Sequence, residues 1–326
     1  MSRLSYYARR VVVTVVLIWG VATFLFFAVH AMPGDYATVL GGHGMSQQAL
    51  QQLRAQWGLN QPLYVQYWQY ITNLATGHAG VSRRTGAPVI ATVSKAFWNT
   101  AIITIPALIL AFIIGTLYGG LMGNNPGSRL EKYGIIPPTV FGTTPDFFLA
   151  FILLFLFVTW LGMFPSGNLA SLQTYRSVDT HWKIYFTGDF LKHAALPFIT
   201  ITLKYVYFPA LLMRGSVVEA RGQEFANYER LLGLTRSTRF KHLMKHASLP
   251  VITILPAVTA TSISAQVLIE YVFNWPGLGR LLLLSVLQRD TPVIQFLFLV
   301  IAVWIIIGNF VVDIAYTVID PRITHD

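Results

Sequence analysis

The sequence predicts an all-α, polytopic membrane protein with six transmembrane helices and an external helical segment between the first two. Three observations support this prediction: the composition, the long apolar runs and the uneven placement of basic residues. Of the 326 residues, 54% are hydrophobic and only 11% are charged, and the mean hydropathy is +0.56. Because a soluble chain carries about a quarter charged residues, this surplus of apolar surface requires a lipid environment.

Six runs are long enough to cross a bilayer, which takes about 20 apolar residues for a hydrocarbon core of about 30 Å. The third and sixth runs contain Asp146 and Asp313, and the fourth contains Lys204. The predicted spans are 11–31, 97–122, 135–164, 194–213, 251–269 and 293–318.

Basic residues indicate which side of the membrane each connection faces, because Lys and Arg concentrate on cytoplasmic segments. The two termini with 123–134 and 214–250 hold 13 of the 23 basic residues, whereas the opposite set is nearly twice as long and holds 9. Both termini are therefore predicted to be cytoplasmic. The net charge of +10, which on a soluble chain would suggest nucleic acid, follows from this topology. No nucleic-acid partner is predicted.

Several classes of chemistry are excluded by what the sequence lacks. It has no cysteine, which excludes disulfides, cysteine-ligated zinc, iron–sulfur clusters and thiol catalysis. It contains no G-x-x-x-x-G-K, H-E-x-x-H or G-x-S-x-G sequence. These motifs are typical of phosphate binding, zinc-dependent hydrolysis and catalysis by a nucleophilic serine, respectively. His242 and His246 are spaced i, i+4 without a carboxylate between them, which gives metal binding little support. We predict no catalytic residue, bound cofactor or metal.

Two interpretations are open for the first run, which follows Arg9 and Arg10. A cleaved signal peptide fits these flanks in part, but the run exceeds a usual signal core, so a retained helix is preferred.

In the external segment, apolar residues after Pro62 recur on one helix face, and Gly77 is suited to end that helix. These residues are Leu63, Tyr67, Trp68, Ile71 and Leu74. We expect this amphipathic helix at the outer interface or against another helix.

The second span carries Gly115, Gly119 and Gly123 at intervals of four residues. Such a stripe without side chains allows another helix to approach closely. The alternative is the ordinary glycine content of membrane helices, and the sequence leaves both open.

The segment 214–250 is the longest predicted cytoplasmic loop, with seven basic and three acidic residues. Apolar residues surround Gly233 within it, namely Phe225, Tyr228, Leu231, Leu232 and Leu234. A solvated connector that merely follows the topology needs no such residues. A helix–glycine–helix element that docks into a groove of another protein does need them.

Short motifs recur along the chain in a fixed order. They are Pro33-Gly34-Asp35, the GLNQPL sequence at 58–63, Arg84-Thr85-Gly86, His193 with Leu196-Pro197, Glu224-Phe225, Arg230-x-x-Gly233-Leu234, Leu249-Pro250-Val251-Ile252, the VFNWPGLGR sequence at 272–280 and Asp320-Pro321-Arg322-Ile323. With these motifs nearly the whole chain resembles the membrane permease subunits of binding-protein-dependent ABC importers of the dipeptide, oligopeptide and nickel type. The chain departs from the family at 229–233, where Ala-Arg-Ala-Lys-Gly is usual.

The resemblance implies the fold of a type I ABC importer permease in the plasma membrane, the inner one if the cell has two. It implies a second homologous permease, two ATPase subunits that hold ATP and magnesium, and an external substrate-binding protein as partners, besides the lipid bilayer. It also implies a peptide-like, oligosaccharide or nickel-complex substrate. The residues expected to couple to the ATPase are Glu224, Phe225, Tyr228, Arg230, Leu231, Gly233 and Leu234.

Charged residues inside the predicted spans are expensive and suggest function. Lys204 lies near the middle of its span, and a role in the translocation path with Asp146 or a structural ion pair with Asp146 are both open. Asp146 follows Pro145, and beginning a helix is its preferred interpretation. Glu270 and Asp313 lie near helix ends and are interpreted as interfacial or packing residues.

The turn 274–279 is rich in glycine, proline and tryptophan, which favours a shaped loop over a helix. The resemblance implies that it faces the binding protein and the entrance to the path. The expected contacts are Trp275, Pro276, Gly277 and Arg280. A simple re-entry turn is the alternative.

The predicted organisation has four parts: 1–31 with the first span, an external segment 32–96, a permease core 97–318 that includes the loop 214–250, and a cytoplasmic tail 319–326. The preferred function is a transport subunit without catalysis of its own. An autonomous secondary transporter or channel is the competing class, and it would leave the loop 214–250 without a purpose.

Overall fold

The computed structural model describes residues 3–31, 46–56, 58 and 60–319. These residues are mostly helical, and the one extended pairing among them is an isolated bridge between Val81 and Pro88. They form two compact units: the described residues of 1–94 and 285–310, and those of 95–284 and 311–320. The motifs at 33–35 and 320–323, Leu59 and the side chain of Asp313 lie outside the described residues.

The helices are named in chain order. They are α1 (Arg3–His30), α2 (Gln47–Gln56), α3 (Leu63–Ala75), α4 (Val89–Asn124), α5 (Arg129–Gly134), α6 (Ile136–Thr143), α7 (Asp146–Leu154, continued by a π-helix at Phe155–Trp160), α8 (Leu172–Ser177), α9 (His181–Ile184), α10 (Gly188–Tyr205), α11 (Tyr207–Arg221), α12 (Glu224–Leu231), α13 (Arg236–Ala247), α14 (Leu249–Thr253), α15 (Leu255–Val272), α16 (Leu278–Leu287) and α17 (Thr291–Ile319).

Five described helical stretches are long and apolar enough to cross a membrane: Ala8–His30, Val89–Asn124, Gly188–Arg221, Leu255–Val272 and Thr291–Val311. They confirm the first, second, fourth, fifth and sixth predicted spans. Two of them have 36 and 34 residues, whereas the hydrocarbon core needs about 20. The ends of these two stretches therefore extend beyond the hydrocarbon core.

The third predicted span is not one straight helix. Arg129–Thr143 and Asp146–Trp160 meet at an angle of 102°, so the run at 135–164 is divided between two helices, which form a broken span or a re-entrant loop. Thr144 and Pro145 have extended backbone angles, with ψ of 134° and 139°. Proline disfavours the helical conformation of the residue before it and offers no N–H to the preceding turn. Thr144 and Pro145 therefore end the first helix immediately before Asp146. Asp146 begins the next helix, which is the role that the sequence analysis preferred for it.

The glycine stripe of α4 is a packing face in the second unit. A Cβ atom at Gly115 or Gly123 would lie 2.6 or 2.7 Å from a backbone carbonyl oxygen at the start of α11 or within it. A Cβ atom at Gly119 would overlap the carbonyl group of Ala210. Only glycine permits this approach, so the packing interpretation of the stripe is confirmed.

In the first unit, α3 begins after Pro62 and ends before Gly77, which has a left-handed φ of 77°. Its predicted apolar face divides into two parts. Tyr67 packs against α1, where its hydroxyl lies 2.9 Å from the Thr23 hydroxyl, whereas Trp68 is exposed. The expected contact with another helix is thus confirmed for one part of the face.

The hydrophobic core of the second unit lies among α4, α7, α10 and α15. Phe273 and Trp275, which follow α15, are fully buried in it. The core therefore fixes the start of the turn that leads into α16.

Candidate functional site

The first eight residues of the predicted loop 214–250 continue α11 to Arg221, and the part that follows forms two helices, α12 and α13, joined by a tight turn at Gly233. The backbone of Gly233 is left-handed, with φ of 72°, and the Leu234 N–H donates to the Glu229 carbonyl oxygen at 3.1 Å. A Cβ atom at Gly233 would have no neighbour within 4 Å. Glycine is therefore required here by the backbone conformation and not by a close approach.

Two side-chain contacts hold α12 against α13. Glu229 Oε1 lies 2.5 Å from Nδ1 of His242, and the rings of Phe225 and His246 have centroids 4.4 Å apart. Both histidines singled out in the sequence therefore join the two helices. The pair of helices forms one supported element, which we call the coupling element (224–247).

The outer side of the coupling element exposes large apolar side chains. The exposed fractions are 66% for Tyr228, 85% for Leu231 and 72% for Leu232. Of the other predicted coupling residues, Glu224, Arg230 and Gly233 are exposed, whereas Phe225 and Leu234 are partly buried. Phe225 thus contacts α13, and the surface available to a partner is made by the remaining residues.

An ion pair anchors the helix that leads into the coupling element. Arg214 Nη2 lies 2.7 Å from Glu131 Oε1, and the other carboxylate oxygen of Glu131 accepts from the Gly127 N–H at 2.7 Å. Further along α11, Arg221 donates to the carbonyl oxygen of Asn124. The connection after α4 is therefore tied to α11 at two points.

Lys204 and Asp146 meet at the break of the third span. The Lys204 ammonium lies 3.3 Å from Asp146 Oδ1 and donates to the carbonyl oxygens of Gly142 and Thr144 at 2.9 and 2.6 Å. The end of a helix leaves carbonyl groups without partners, and Lys204 supplies donors to two of them. Asp146 begins α7 and also pairs with Lys204, so the ion pair left open by the sequence is formed. A role of the two residues in the translocation path stays a prediction.

The turn 274–280 is held by the carboxylate of Glu270, which the sequence analysis interpreted only as an interfacial or packing residue near a helix end. Glu270 is fully buried; its Oε1 accepts from the Thr100 hydroxyl at 2.5 Å and its Oε2 accepts from the Arg280 N–H at 3.0 Å. A Cβ atom at Gly277 would overlap the Glu270 carboxylate. Glycine at 277 therefore makes room for the acid that orders the turn.

A second set of hydrogen bonds joins the same turn to the beginning of the second span. The Trp275 indole N–H donates to the carbonyl oxygen of Asn99, and the Asn99 amide donates to the Pro276 carbonyl oxygen, each at 2.8 Å. The Tyr185 hydroxyl donates to the Asn99 side-chain oxygen at 2.6 Å. Asn99 is thus a central polar residue of this region.

The four residues predicted at the entrance differ in their accessibility. Trp275 and Gly277 are buried and make internal contacts, whereas Pro276 and Arg280 are partly exposed. Contact of these residues with a binding protein stays a prediction, for which Pro276 and Arg280 offer the accessible surface. Sequence reasoning missed Asn99 and Thr100, and gave Glu270 only a general packing role. The one available signal was two adjacent polar residues inside an apolar run.

Two family models match this chain. The family described as binding-protein-dependent transport system inner membrane component matches residues 115–325. The family of the corresponding N-terminal membrane component matches residues 3–108.

Named relatives cover almost the full chain. The oligopeptide transport system permease protein AppB of Bacillus subtilis is 31% identical over 324 residues, or 98% of this chain and 99% of the relative. The dipeptide transport system permease protein DppB of Alkalihalophilus pseudofirmus is 30% identical, over 99% of this chain and 100% of the relative. The glutathione transport system permease protein GsiC of Escherichia coli K12 is also 30% identical, over 99% of each chain.

The helix–glycine–helix element, the five apolar helices with one broken span, and the match of both family models along the chain point to the same assignment. The named relatives are transport permeases and not enzymes. The chain belongs to the family of binding-protein-dependent transport system inner membrane components, and it is a membrane-embedded permease subunit of a type I ABC importer.

Proposed function

We propose that this permease forms, with a second homologous permease, the path for a peptide-like substrate that an external binding protein delivers. The coupling element connects this path to two ATPase subunits, which bind ATP and magnesium. The concentration of basic residues on the two termini and on 214–250 supports a cytoplasmic location for these segments, in a protein of the plasma membrane.

The exposed apolar surface of α12 is the observation that carries the coupling proposal. Tyr228 and Leu231 on α12, and Leu232 directly after it, are large apolar residues that are mostly exposed. A cluster of this kind marks a docking surface, and a short amphipathic helix in a groove is a common way to use it. The contacts of Glu229 and Phe225 hold α12 against α13. A displacement of α12 would therefore be transmitted through α13 to α11.

The peptide-like substrate rests on the relatives. Their names specify oligopeptide, dipeptide and glutathione transport, and all three substrates contain peptide bonds. An oligosaccharide, the other organic substrate implied by the resemblance, has no comparable support among these relatives.

Reconstitution separates an importer subunit from an autonomous transporter. The permease is purified with and without the coexpressed ATPase and binding-protein subunits, and placed in proteoliposomes. We expect peptide uptake only when all subunits are present and ATP is supplied inside the vesicle, on the side that the ATPase subunits face. We also expect peptide to stimulate ATP hydrolysis. Uptake or ion conduction by the permease alone would contradict the proposal, as would ATP hydrolysis that responds to oligosaccharides and not to peptides.

A further inference from the structure

A polar cavity of about 350 Å³ lies behind the coupling element in the second unit. It is open to solvent on one side and is lined by α12, α13, the last residue of α11 and the end of α4. Its charged and polar lining includes Asn124, Arg221, Glu229, Arg230, Arg236 and Arg239. We call it the arginine cavity.

The arginine cavity has an uncompensated positive charge. Four guanidinium groups and one carboxylate line it, and Oε1 of that carboxylate, on Glu229, is already engaged by His242 at 2.5 Å. Among the described residues, Arg230, Arg236 and Arg239 take part in no ion pair. Arg221 and Arg239 are partly buried, whereas Arg230 and Arg236 are exposed, and like charges repel one another more strongly where burial reduces solvent screening. The cavity therefore has the electrostatics of an anion site.

Two residues that line the cavity have a buried polar atom without a partner. Within the described part of the chain, Nε of Arg239 and Oε2 of Glu229 are shielded from solvent and form no hydrogen bond. A buried donor without a partner costs free energy. Arg230 and Arg239 also lie near enough to Arg221 for their charges to act on it. Guanidinium groups that converge from different helices suit the several oxygens of a phosphate group.

The depth of the cavity indicates where such a phosphate comes from. Asn124 is two residues beyond the apolar run 97–122, which is about 3 Å along a helix. Because α4 has 36 residues and its ends extend beyond the hydrocarbon core, this position lies outside the core, on the side where lipid headgroups are found. Leu117 and Leu121 are exposed on the preceding turns of α4, and their spacing puts them on the face of Asn124 and Asn125. An apolar track therefore leads along α4 to the cavity.

We propose that the arginine cavity binds the phosphate group of an anionic phospholipid, with the acyl chains along Leu117 and Leu121 of α4. Basic pockets at the membrane ends of spanning helices bind anionic headgroups in this way. The bound headgroup would neutralise the guanidinium cluster and join α4 to the coupling element. This proposal concerns lipid binding alone and does not depend on whether α12 docks on an ATPase.

Lipid binding to the purified full chain tests the proposal. Dioleoyl phosphatidylglycerol is titrated into the detergent-solubilised protein, with dioleoyl phosphatidylcholine as the zwitterionic comparison, and occupancy is read by native mass spectrometry and thermal unfolding. We expect phosphatidylglycerol to bind and stabilise and phosphatidylcholine to do so far less. Arg239→Gln should weaken phosphatidylglycerol binding about tenfold, and exposed Arg236→Gln provides a second variant that is expected to fold normally.

Matched controls make the result decisive. Lys241→Gln removes an exposed positive charge from the same helix without touching the cavity, and should leave binding unchanged. Equal loss in Lys241→Gln and the two arginine variants would overturn the proposal. Stabilisation by inorganic phosphate that matches phosphatidylglycerol would overturn the lipid as the source of the phosphate. Unchanged lipid binding in Arg239→Gln with poorer recovery of ATPase subunits would show that the cavity contacts a protein instead.

Discussion

The buried carboxylate of Glu270 on α15 accepts a 2.5 Å hydrogen bond from the hydroxyl of Thr100 on α4. Thr100 in turn accepts from the Leu278 N–H at 2.8 Å, and Glu270 accepts from the Arg280 N–H. Two residues that are distant in the sequence thus order the backbone that links α15 to α16. The inner side of the turn is thus fixed by hydrogen bonds, whereas contact of its outer side with a binding protein stays a prediction.

Removing the Glu270 carboxylate should destabilise the second unit. Glu270→Ala leaves the Thr100 hydroxyl and the Arg280 N–H without their acceptor in a buried place, which we expect to cost about 3 kcal/mol. Glu270→Gln keeps the volume and one acceptor oxygen, so its loss should be clearly smaller. Thermal unfolding of both variants in detergent measures the difference. Equal midpoints for the wild type and Glu270→Ala would show that the hydrogen bonds contribute nothing.

Lys204 is expected to act mainly on stability, because its ammonium serves three oxygen acceptors at the broken span. Lys204→Met removes these donors and leaves Asp146 unpaired, at an expected cost of about 2 kcal/mol. Asp146→Asn combined with Lys204→Met should recover part of the loss, which a double-mutant cycle of unfolding free energies detects. Uptake of different peptides should fall in the same proportion. A change in the order of preferred peptides would instead support a role of Lys204 in the path.

The turn at Gly233 should tolerate only residues that accept a left-handed backbone. Gly233→Val is expected to cost roughly 1–2 kcal/mol locally and to displace α12 from α13, so that the protein inserts but uptake is abolished. Gly233→Asn is the matched control, since asparagine adopts this conformation more readily. Uptake assays on membranes with equal amounts of each protein measure the effect. Normal uptake by Gly233→Val would rule out a role of this turn in coupling the path to the ATPase subunits.

The His181 imidazole should make stability depend on pH. Burial, and then the charge of Lys95, lower the pKa of His181 from its ordinary value. The unfolded chain therefore binds this proton first, and stability falls as the pH decreases through about 6.5 toward the lower folded-state pKa. Unfolding midpoints at about pH 7.5 and 5.5 should differ more for the wild type than for His181→Gln. The same decrease in both proteins would show that another group controls the pH response.

The sequence predicted the features that are encoded locally. Long apolar runs gave five spans, Pro145 gave the break of the third, and the apolar residues around Gly233 gave the two helices of the loop. The break also exposed carbonyl groups, but the sequence could not tell whether Lys204 would meet them or face a path. That choice depends on how α10 packs against α6 and α7.

Contacts between distant residues were outside the reach of the sequence. The glycine, proline and tryptophan of the turn 274–279 predicted a shaped loop, yet composition does not show which side of a loop is buried. Trp275 was expected to face a partner and instead lies in the core, because Asn99 and the core residues of α10 enclose it. The interaction of Glu270 with Thr100 joins residues 170 positions apart, and no periodicity connects them.

Accessibility of a single thiol at position 231 tests the coupling proposal most directly. The natural chain has no cysteine, so Leu231→Cys introduces a single reporter thiol on the exposed face of α12. Leu172→Cys is the control, because Leu172 lies outside α12 and is 77% exposed, compared with 85% for Leu231. Membranes with and without the coexpressed ATPase subunits are treated with a membrane-permeant maleimide. We predict that the ATPase subunits protect Leu231→Cys from labelling and leave Leu172→Cys unchanged. Equal labelling of Leu231→Cys with and without the ATPase subunits would contradict docking through α12.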